Sequence, residues 1–372
     1  MHKSTIYDCI IVGGGLAGLS LSIQLAKLQH KVLLLEKKSY PSHKVCGEYL
    51  SAESEDFLQR LGLDLSSMNL PRINQFLLTS PNGAHLSSKL DLGGIGISRF
   101  KLDYELFKLA KANGVTILEN TTVSDFHERN NYFEVNTHEG KYIGKYLCAS
   151  YGKHAFGSFY KPPSESENWV GIKYHIQLEF PKNLIALHNF RGGYCGISNI
   201  ENDRCCLCYL VKASTLKKYQ HQIPKLEREV LRKNPYLDNI FSKANFLFDK
   251  PLTISNVKFS VKKPVFNHVF YLGDSAGSIA PLSGNGMSIA LRSAYELAPI
   301  LDLLLQERIN RQTAFERYET CWNKNFKQRI SAGRKMQHFF CKEYLTGLSI
   351  AVIRWIKPLQ QIIIKQTHGK PF

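Results

Sequence analysis

Hydrophobic residues first gather at positions 6–12 (IYDCIIV), a short β-branched run followed at once by Gly13-Gly14-Gly15 and then by apolar positions at helical spacing from Leu16 to Gln29. That order predicts strand, glycine turn and helix. A second apolar run, Val32 to Leu35, ends at Glu36 and completes a βαβ unit of about thirty residues. Residues 53–61 have helical spacing, 73–79 and 84–98 alternate as strands around the turn tripeptide Pro81-Asn82-Gly83, and Lys101 to Asn113 form an amphipathic helical pattern. VTILEN and the stretch that runs on to Ser150 again alternate as strands. From Trp169 the pattern becomes that of an antiparallel sheet: WVGIKYHIQLEF, LIALHNF, GYCGISNI and RCCLCYLV are strand-like, the last two joined by Glu201-Asn202-Asp203 as a hairpin. Helical spacing returns at 222–233 and from 286 to the end, with a strand at Val269 to Leu272 between them.

The predicted fold class is therefore α/β: a Rossmann-like domain assembled from both ends of the chain, an inserted, mostly antiparallel β domain, and a helical C-terminus. Residues 1–165 form the first part of the Rossmann-like domain, with a small antiparallel segment at 70–100. Residues 166–260 form the inserted sheet, 261–305 the second part, and 306–372 a basic helical region. The stretch from Pro162-Pro163 to Glu167 reads as the linker outward.

Composition narrows the class without choosing a function. In 372 residues, 44% are hydrophobic and 21% charged, with 26 Gly and 14 Pro in no repeat, which excludes a disordered chain, a collagen or a coiled coil. The formal charge of +17 favours anionic partners, and 13 Lys or Arg against 4 Asp or Glu in residues 306–372 place +9 of it at one end. No helix-turn-helix, zinc or RNA-recognition signature accompanies that charge, so nucleic acid is not an expected partner. There is no secretory h-region and no run near the ~20 apolar residues of a spanning helix, and nine scattered cysteines do not make a disulfide scaffold. These features predict a reduced, cytoplasmic protein. The segment LTGLSIAVIRWIKPLQQIIIK mixes Leu, Ile and Trp with Arg354, Lys357 and Lys365, so residues 340–365 are either a helix capping the core or a peripheral contact with the inner face of a membrane.

Two segments carry chemistry. In the first, Gly13, Gly15 and Gly18 form GxGxxG between a strand and a helix, where glycines allow a tight turn and close backbone approach to a pyrophosphate at the helix N-terminus. Glu36, at the end of the next strand, is placed to accept from ribose hydroxyls and disfavours a 2′-phosphate. In the second, YLGDSAGSIAPLSGNGMSIALRSA, strand again gives way to turn and helix. Asp274 is placed to accept from sugar or ribityl hydroxyls, and Gly284 and Gly286 open a helix whose positive end can hold an anion.

With these motifs at both ends of the chain and ISRFKLDYELFKLAKANGV between them, the sequence resembles, over nearly its full length, the FAD-dependent para-hydroxybenzoate hydroxylase and geranylgeranyl reductase superfamily. The resemblance implies a Rossmann-like FAD-binding domain of the second glutathione-reductase type and FAD as cofactor. It places Arg99, Asp274, Pro281, Gly284 and Gly286 at the cofactor, and sets Lys44 and Cys46 in a loop beside the flavin. NAD(P)H or a partner protein is then the electron donor. Two departures bear on the reaction. Tyr151 stands where hydroxylases carry an Asp tied to nicotinamide use, and Glu48 replaces the glycine that follows Cys-Gly in the reductases. A monooxygenase and a double-bond reductase, each on a hydrophobic aromatic, polyketide-like or polyprenyl substrate, both stay open, as does a non-catalytic FAD-binding protein docked at a membrane.

No catalytic residue is assigned from sequence. His175, His188, Arg191 and Tyr194 are the polar strand residues expected nearest a substrate. Cys205, Cys206 and Cys208 are expected to pack in the sheet, with Cys205 on the opposite face from the other two, and no metal site is expected.

Overall fold

The computed structural model describes residues 5–153, 168–257, 262–277, 285–333 and 369–372. The expected linker, Pro281, Gly284 and the segment 340–365 lie outside them. In chain order the strands are β1 (Ile6–Val12), β2 (Val32–Leu35), β3 (Tyr49–Ser51), β4 (Arg72–Thr79), β5 (His85–Gly96), β6 (Thr116–Leu118), β7 (Val123–Arg129), β8 (Tyr132–Thr137), β9 (Lys141–Ala149), β10 (Trp169–Gln177), β11 (Leu184–Phe190), β12 (Gly193–Ile200), β13 (Arg204–Lys212), β14 (Asn245–Phe246), β15 (Leu252–Val257), β16 (Val265–Phe266) and β17 (Val269–Tyr271). The helices are α1 (Leu16–Lys27), α2 (Glu55–Leu61), α3 (Arg99–Ala112), α4 (Ala213–Lys218), α5 (Ile223–Glu229), α6 (Pro235–Lys243), α7 (Gly286–Leu305) and α8 (Arg311–Trp322).

The strands make two sheets. The first has the order β16-β17-β9-β1-β2-β6, with the β7–β8 hairpin paired onto β9. Its β17, β9, β1, β2 and β6 run parallel, so their C-terminal ends and the turns that follow share one edge. α1 packs between α3 and α7, and nearly every residue of it is buried, including Ser20 and Ser22. This is why its sequence is apolar almost all round rather than on one stripe.

The second sheet has the order β14-β10-β13-β12-β11-β4-β5-β3, with β15 beside β10. All its pairs are antiparallel except β11 with β4. Segment 70–100, expected with the first part of the Rossmann-like domain, contributes β4 and β5 to this second sheet instead. Local alternation shows a hairpin but not the distant strand its edge will pair with, here β11, more than a hundred residues on.

The helix expected at 222–233 is present as α5 and a 3-10 turn at Leu231–Lys233, and α4 and α6 flank it, so that the three short helices cover one face of the second sheet. Asn234 caps α6 by accepting from the Tyr236 N–H at 3.0 Å, and Pro235 occupies its first position. α3 starts at Arg99, two residues earlier than its periodicity indicates, because Ser98 accepts from the Lys101 N–H at 3.0 Å. From Gly286 the helix stops at Leu305 and restarts as α8 under an Asn310 cap on the Thr313 N–H, 2.8 Å away. Among the described residues no helix is long and apolar enough to cross a membrane.

α8 is fastened to the end of the parallel sheet by the buried Tyr318 hydroxyl, which donates to the Tyr271 carbonyl at 2.8 Å. Tyr318→Phe leaves that carbonyl unsatisfied in the core and is expected to cost about 1–2 kcal/mol, read as a lower urea midpoint at unchanged slope.

Candidate functional site

β1 delivers the chain to Gly13, whose φ of +103° is the left-handed region that favours glycine. A Cβ at Gly13 would stand 2.6 Å from the Ser150 carbonyl oxygen, and one at Gly18 would stand 2.1 Å from the Gly13 oxygen. The turn is therefore wedged between the ends of β1 and β9, with the Ser150 hydroxyl donating to the Gly13 carbonyl at 2.6 Å. Gly15 differs: a Cβ there would meet only Arg99 Nη2, at 3.7 Å. Since Gly15 caps α1 without a side chain, the first N–H groups of that helix face the space beside Arg99.

Polar side chains surround that space. Glu36 Oε2 accepts from the Gly14 N–H at 2.7 Å and Oε1 from the Lys38 N–H at 3.0 Å. The Tyr40 hydroxyl donates to the Gly14 carbonyl at 2.5 Å, and burial next to Glu36 and Asp103 pushes that phenol up, so it stays neutral. Arg99 holds Asp103 through two bonds of 2.6 and 2.8 Å, and Lys44 reaches the same carboxylate at 2.9 Å. Burial alone would raise the Asp103 pKa, but the Arg99 and Lys44 cations outweigh it and hold the carboxyl below its ordinary value. Two cations on one buried anion leave the group net positive beside the uncapped helix end. An open cradle at Gly15, free N–H groups and this charge fit a dinucleotide pyrophosphate.

The turn after β17 lies alongside. Leu272 N–H bonds the Ala149 carbonyl at 2.9 Å, and the Gly152 N–H donates to Ser275 Oγ at 2.9 Å, so Asp274 sits next to the turn that braces Gly13. Asp274 is 3.9 Å from Lys153. A Cβ on Gly273 would be 3.6 Å from Ala17 of α1, which joins the second motif to the first. Gly286 opens α7 as expected, while Pro281 and Gly284 fall outside the described residues.

The loop after Lys44 connects this layer to the second sheet. Glu48 has a φ of +56°, the left-handed backbone conformation that a glycine would take most easily. Its side chain is wholly buried. Oε1 accepts from the Arg99 N–H at 2.8 Å and from Lys173 Nζ at 2.5 Å, and Oε2 accepts from His175 Nε2 at 2.7 Å. Lys173, with 0% exposure, also donates to the Lys44 carbonyl at 3.1 Å. Burial would push Glu48 up, but the His175 bond and the Lys173 charge hold it below the ordinary carboxylate range.

His43 lies next to this cluster, stacked on Phe100 with ring centroids 4.5 Å apart and set edge-on to His175 at 5.1 Å and Phe248 at 5.0 Å. Burial, with His175 and Lys173 nearby, lowers the His43 pKa. Cys206 points to the same place, its thiol donating to the Cys46 carbonyl at 3.3 Å, while Cys205 packs in the core on the opposite face. Ligand atoms of Glu48, His175 and Cys206 come within 4.8 Å of one another. The Lys173 ammonium already occupies the Glu48 carboxylate, and burial drives the Cys206 thiol well above its ordinary pKa, a donor set unsuited to a divalent cation.

Gly13, Gly15, Gly18, Glu36, Lys44, Cys46, Arg99 and Asp274 thus come together along one edge of the parallel sheet. Of the polar strand residues, His175 joins them, Tyr194 packs with Trp169 and Leu210, Arg191 lies in the β11–β12 turn, and His188 faces away. Tyr40, His43 and Lys173 were not singled out by sequence. Lys173 did leave a signal, a lone cation inside an apolar strand, which is rare in a core without a partner.

The chain matches the family model of an NAD(P)-binding Rossmann-like domain over residues 11–53. It is 25% identical over 372 residues to conditioned medium factor receptor 1 of Dictyostelium discoideum, which covers 90% of this chain and 71% of that protein. Its fold aligns with a flavin-dependent brominase carrying three substitutions at a TM-score of 0.80 and 16% identity, over 98% of this chain and 95% of the brominase. It aligns with a flavoprotein/dehydrogenase from Cytophaga hutchinsonii at a TM-score of 0.76 and 16% identity, over 91% and 86% of the two chains. The chain therefore shares its fold with these flavin-dependent proteins and carries an NAD(P)-binding Rossmann-like segment at residues 11–53.

Lys173→Met leaves the buried Glu48 charge without its cation and is expected to cost about 3 kcal/mol, most of it regained in the Lys173→Met/Glu48→Gln pair, by urea unfolding. Because the native pKa of Glu48 is lowered, its contribution is full at neutral pH and is lost as pH falls below the ordinary carboxylate value and through the lowered one. Glu48→Gln is expected to flatten the acid limb of a stability-versus-pH curve relative to the wild type.

Proposed function

We propose that the chain is an FAD-dependent oxidoreductase acting on a hydrophobic substrate held between the loop at residues 43–48 and the facing side of the second sheet. The observation that carries this reading is one shared edge of the parallel sheet, where the uncapped glycine turn, the Glu36 carboxylate and the Lys44–Arg99–Asp103 group meet the Asp274 turn. The first N–H groups of α1 and the two cations would hold the pyrophosphate, Glu36 the ribose hydroxyls, and Asp274 the ribityl or pyrophosphate part. Bound FAD supplies transfer of electrons in pairs.

The chain's own residues supply binding, dryness and protons. Lys173 and His175 deliver two N–H donors to Glu48 under a loop closed by aromatic rings, so a proton can be held there out of bulk water. His43 stands between that group and Phe100, at the wall where a flat apolar substrate would lie. The buried Glu48–His175 pair favours double-bond reduction as a second reading beside oxygen-dependent hydroxylation, since reduction of a carbon–carbon double bond consumes a proton delivered to carbon. Tyr151, in place of the Asp tied to nicotinamide use, supports a partner protein as donor, with NAD(P)H the competing source. The basic region at 306–372 supports a peripheral contact with the inner face of a membrane, where hydrophobic substrates concentrate.

An anaerobic visible spectrum with NADH, NADPH and then dithionite, followed by air, separates these. Bleaching by a nicotinamide and oxygen incorporation into product support hydroxylation. Bleaching by dithionite alone, with no oxygen incorporated, supports reduction driven by a partner. A flavin that no donor reduces contradicts catalysis. Gly13→Ala with Asp274→Ala is expected to lower flavin occupancy at least tenfold, roughly 1.4 kcal/mol or more of binding; full occupancy in that double variant contradicts the site.

A further inference from the structure

The second sheet has a cavity on its other face. Side chains alternate along a strand, so on β11 His188 shares a side with Ala186 and Phe190, which pack beneath α4, α5 and α6. On β10, Lys173 and His175 point the opposite way, to Glu48. The half-open cavity under α6 has a volume of about 470 Å³ and is walled by Leu77, Leu178, Phe180, Tyr236 and Ile240, with the buried His188 also lining it.

His188 is 1% exposed and its protonation is fixed by its neighbours. Asn234 Nδ2 has two hydrogens for three acceptors: Thr79 Oγ1, nearest at 2.8 Å, takes one, and the Ser80 and Asn189 carbonyls at 3.1 and 3.0 Å share the other, while Asn234 Oδ1 accepts from the Tyr236 N–H. Thr79 therefore receives a hydrogen from Asn234 and sends its own to His188 Nδ1, 2.9 Å away. That leaves the ring proton on Nε2, which has no partner among the described residues. Burial lowers the His188 pKa to about 4, so the ring is a neutral donor near pH 7. The half-exposed Tyr236 ring lies on the imidazole at a centroid distance of 5.6 Å and 18° between planes. At the rim, exposed Glu179 and Lys243 carry opposite charges.

We propose that this cavity is a second small-molecule site, which takes an uncharged, mostly apolar ring compound whose carbonyl-type oxygen accepts from His188 Nε2–H. A buried donor with no acceptor is costly, and a carbonyl oxygen satisfies it without bringing in a charge that the neutral rim and apolar walls would not stabilise. Tyr236, stacked over the imidazole, is the side chain that turns aside on entry. The site stands on the far face of the sheet from the glycine turn, so it does not depend on the flavin reading.

The test pairs 4-bromobenzamide, which carries the acceptor, with bromobenzene, which lacks it, on the full chain. Calorimetric titration is expected to show the amide binding about tenfold tighter than bromobenzene, the size of one net hydrogen bond. In His188→Phe that ratio should fall to about one, and Ile240→Trp, which fills the cavity, should abolish both. Bromine anomalous scattering from soaked crystals is expected beside His188 and Tyr236. Equal affinity of the two probes for the wild type, no saturable binding of either, or bromine only elsewhere overturns the proposal. Should His188→Phe fail to fold, the wild-type ratio, Ile240→Trp and the bromine position still decide it.

Discussion

A carboxylate with no exposed surface is the constraint around which the two sheets are arranged. Glu48 loses all contact with water, so it survives as an anion only if several donors reach it, and its three donors come from two elements: the Arg99 N–H at the start of α3, and Lys173 and His175 on β10. The two elements, and the loop that carries Glu48, come from different parts of the chain. The loop that carries Glu48 in turn lies next to the glycine turn through Lys44 and Asp103. One buried charge thus couples the nucleotide-type cradle to the facing sheet.

The coupling sets where chemistry can happen. Arg99 bonds Glu48 through its backbone N–H and Asp103 through its guanidinium, so the same residue orients the cation beside Gly15 and the carboxylate beneath His43. A shift in either would be felt at the other. The second sheet uses its two faces differently. The side toward Glu48 presents charged and aromatic groups, and the side under α4 to α6 is mostly apolar, interrupted by Glu227, which accepts from the Tyr174 and Tyr209 hydroxyls, and by the His188–Thr79–Asn234 chain.

The first βαβ unit and its glycine fingerprint were legible in the sequence because strand, turn and helix there are local and each residue type has one physical reason for its place. Ser98 and Asn234 also announce their helices as caps, whereas hydrophobic periodicity alone places the start of α3 two residues late and leaves α6 unmarked. The partner of β4 could not be read, since register between strands a hundred residues apart depends on which edge is left open. Glu48 was visible as a departure from a pattern. That it gathers Lys173 and His175 depends on β10 running past the loop, a tertiary fact with no local trace beyond the lone cation in an apolar strand.

The most direct test of the account is the cofactor content of the purified chain, measured by visible spectrum and by mass spectrometry of the small molecule released on denaturation. The account predicts a yellow protein that yields FAD at one equivalent per chain, or takes it up to that ratio when FAD is added. A colourless protein that binds no added FAD would contradict it.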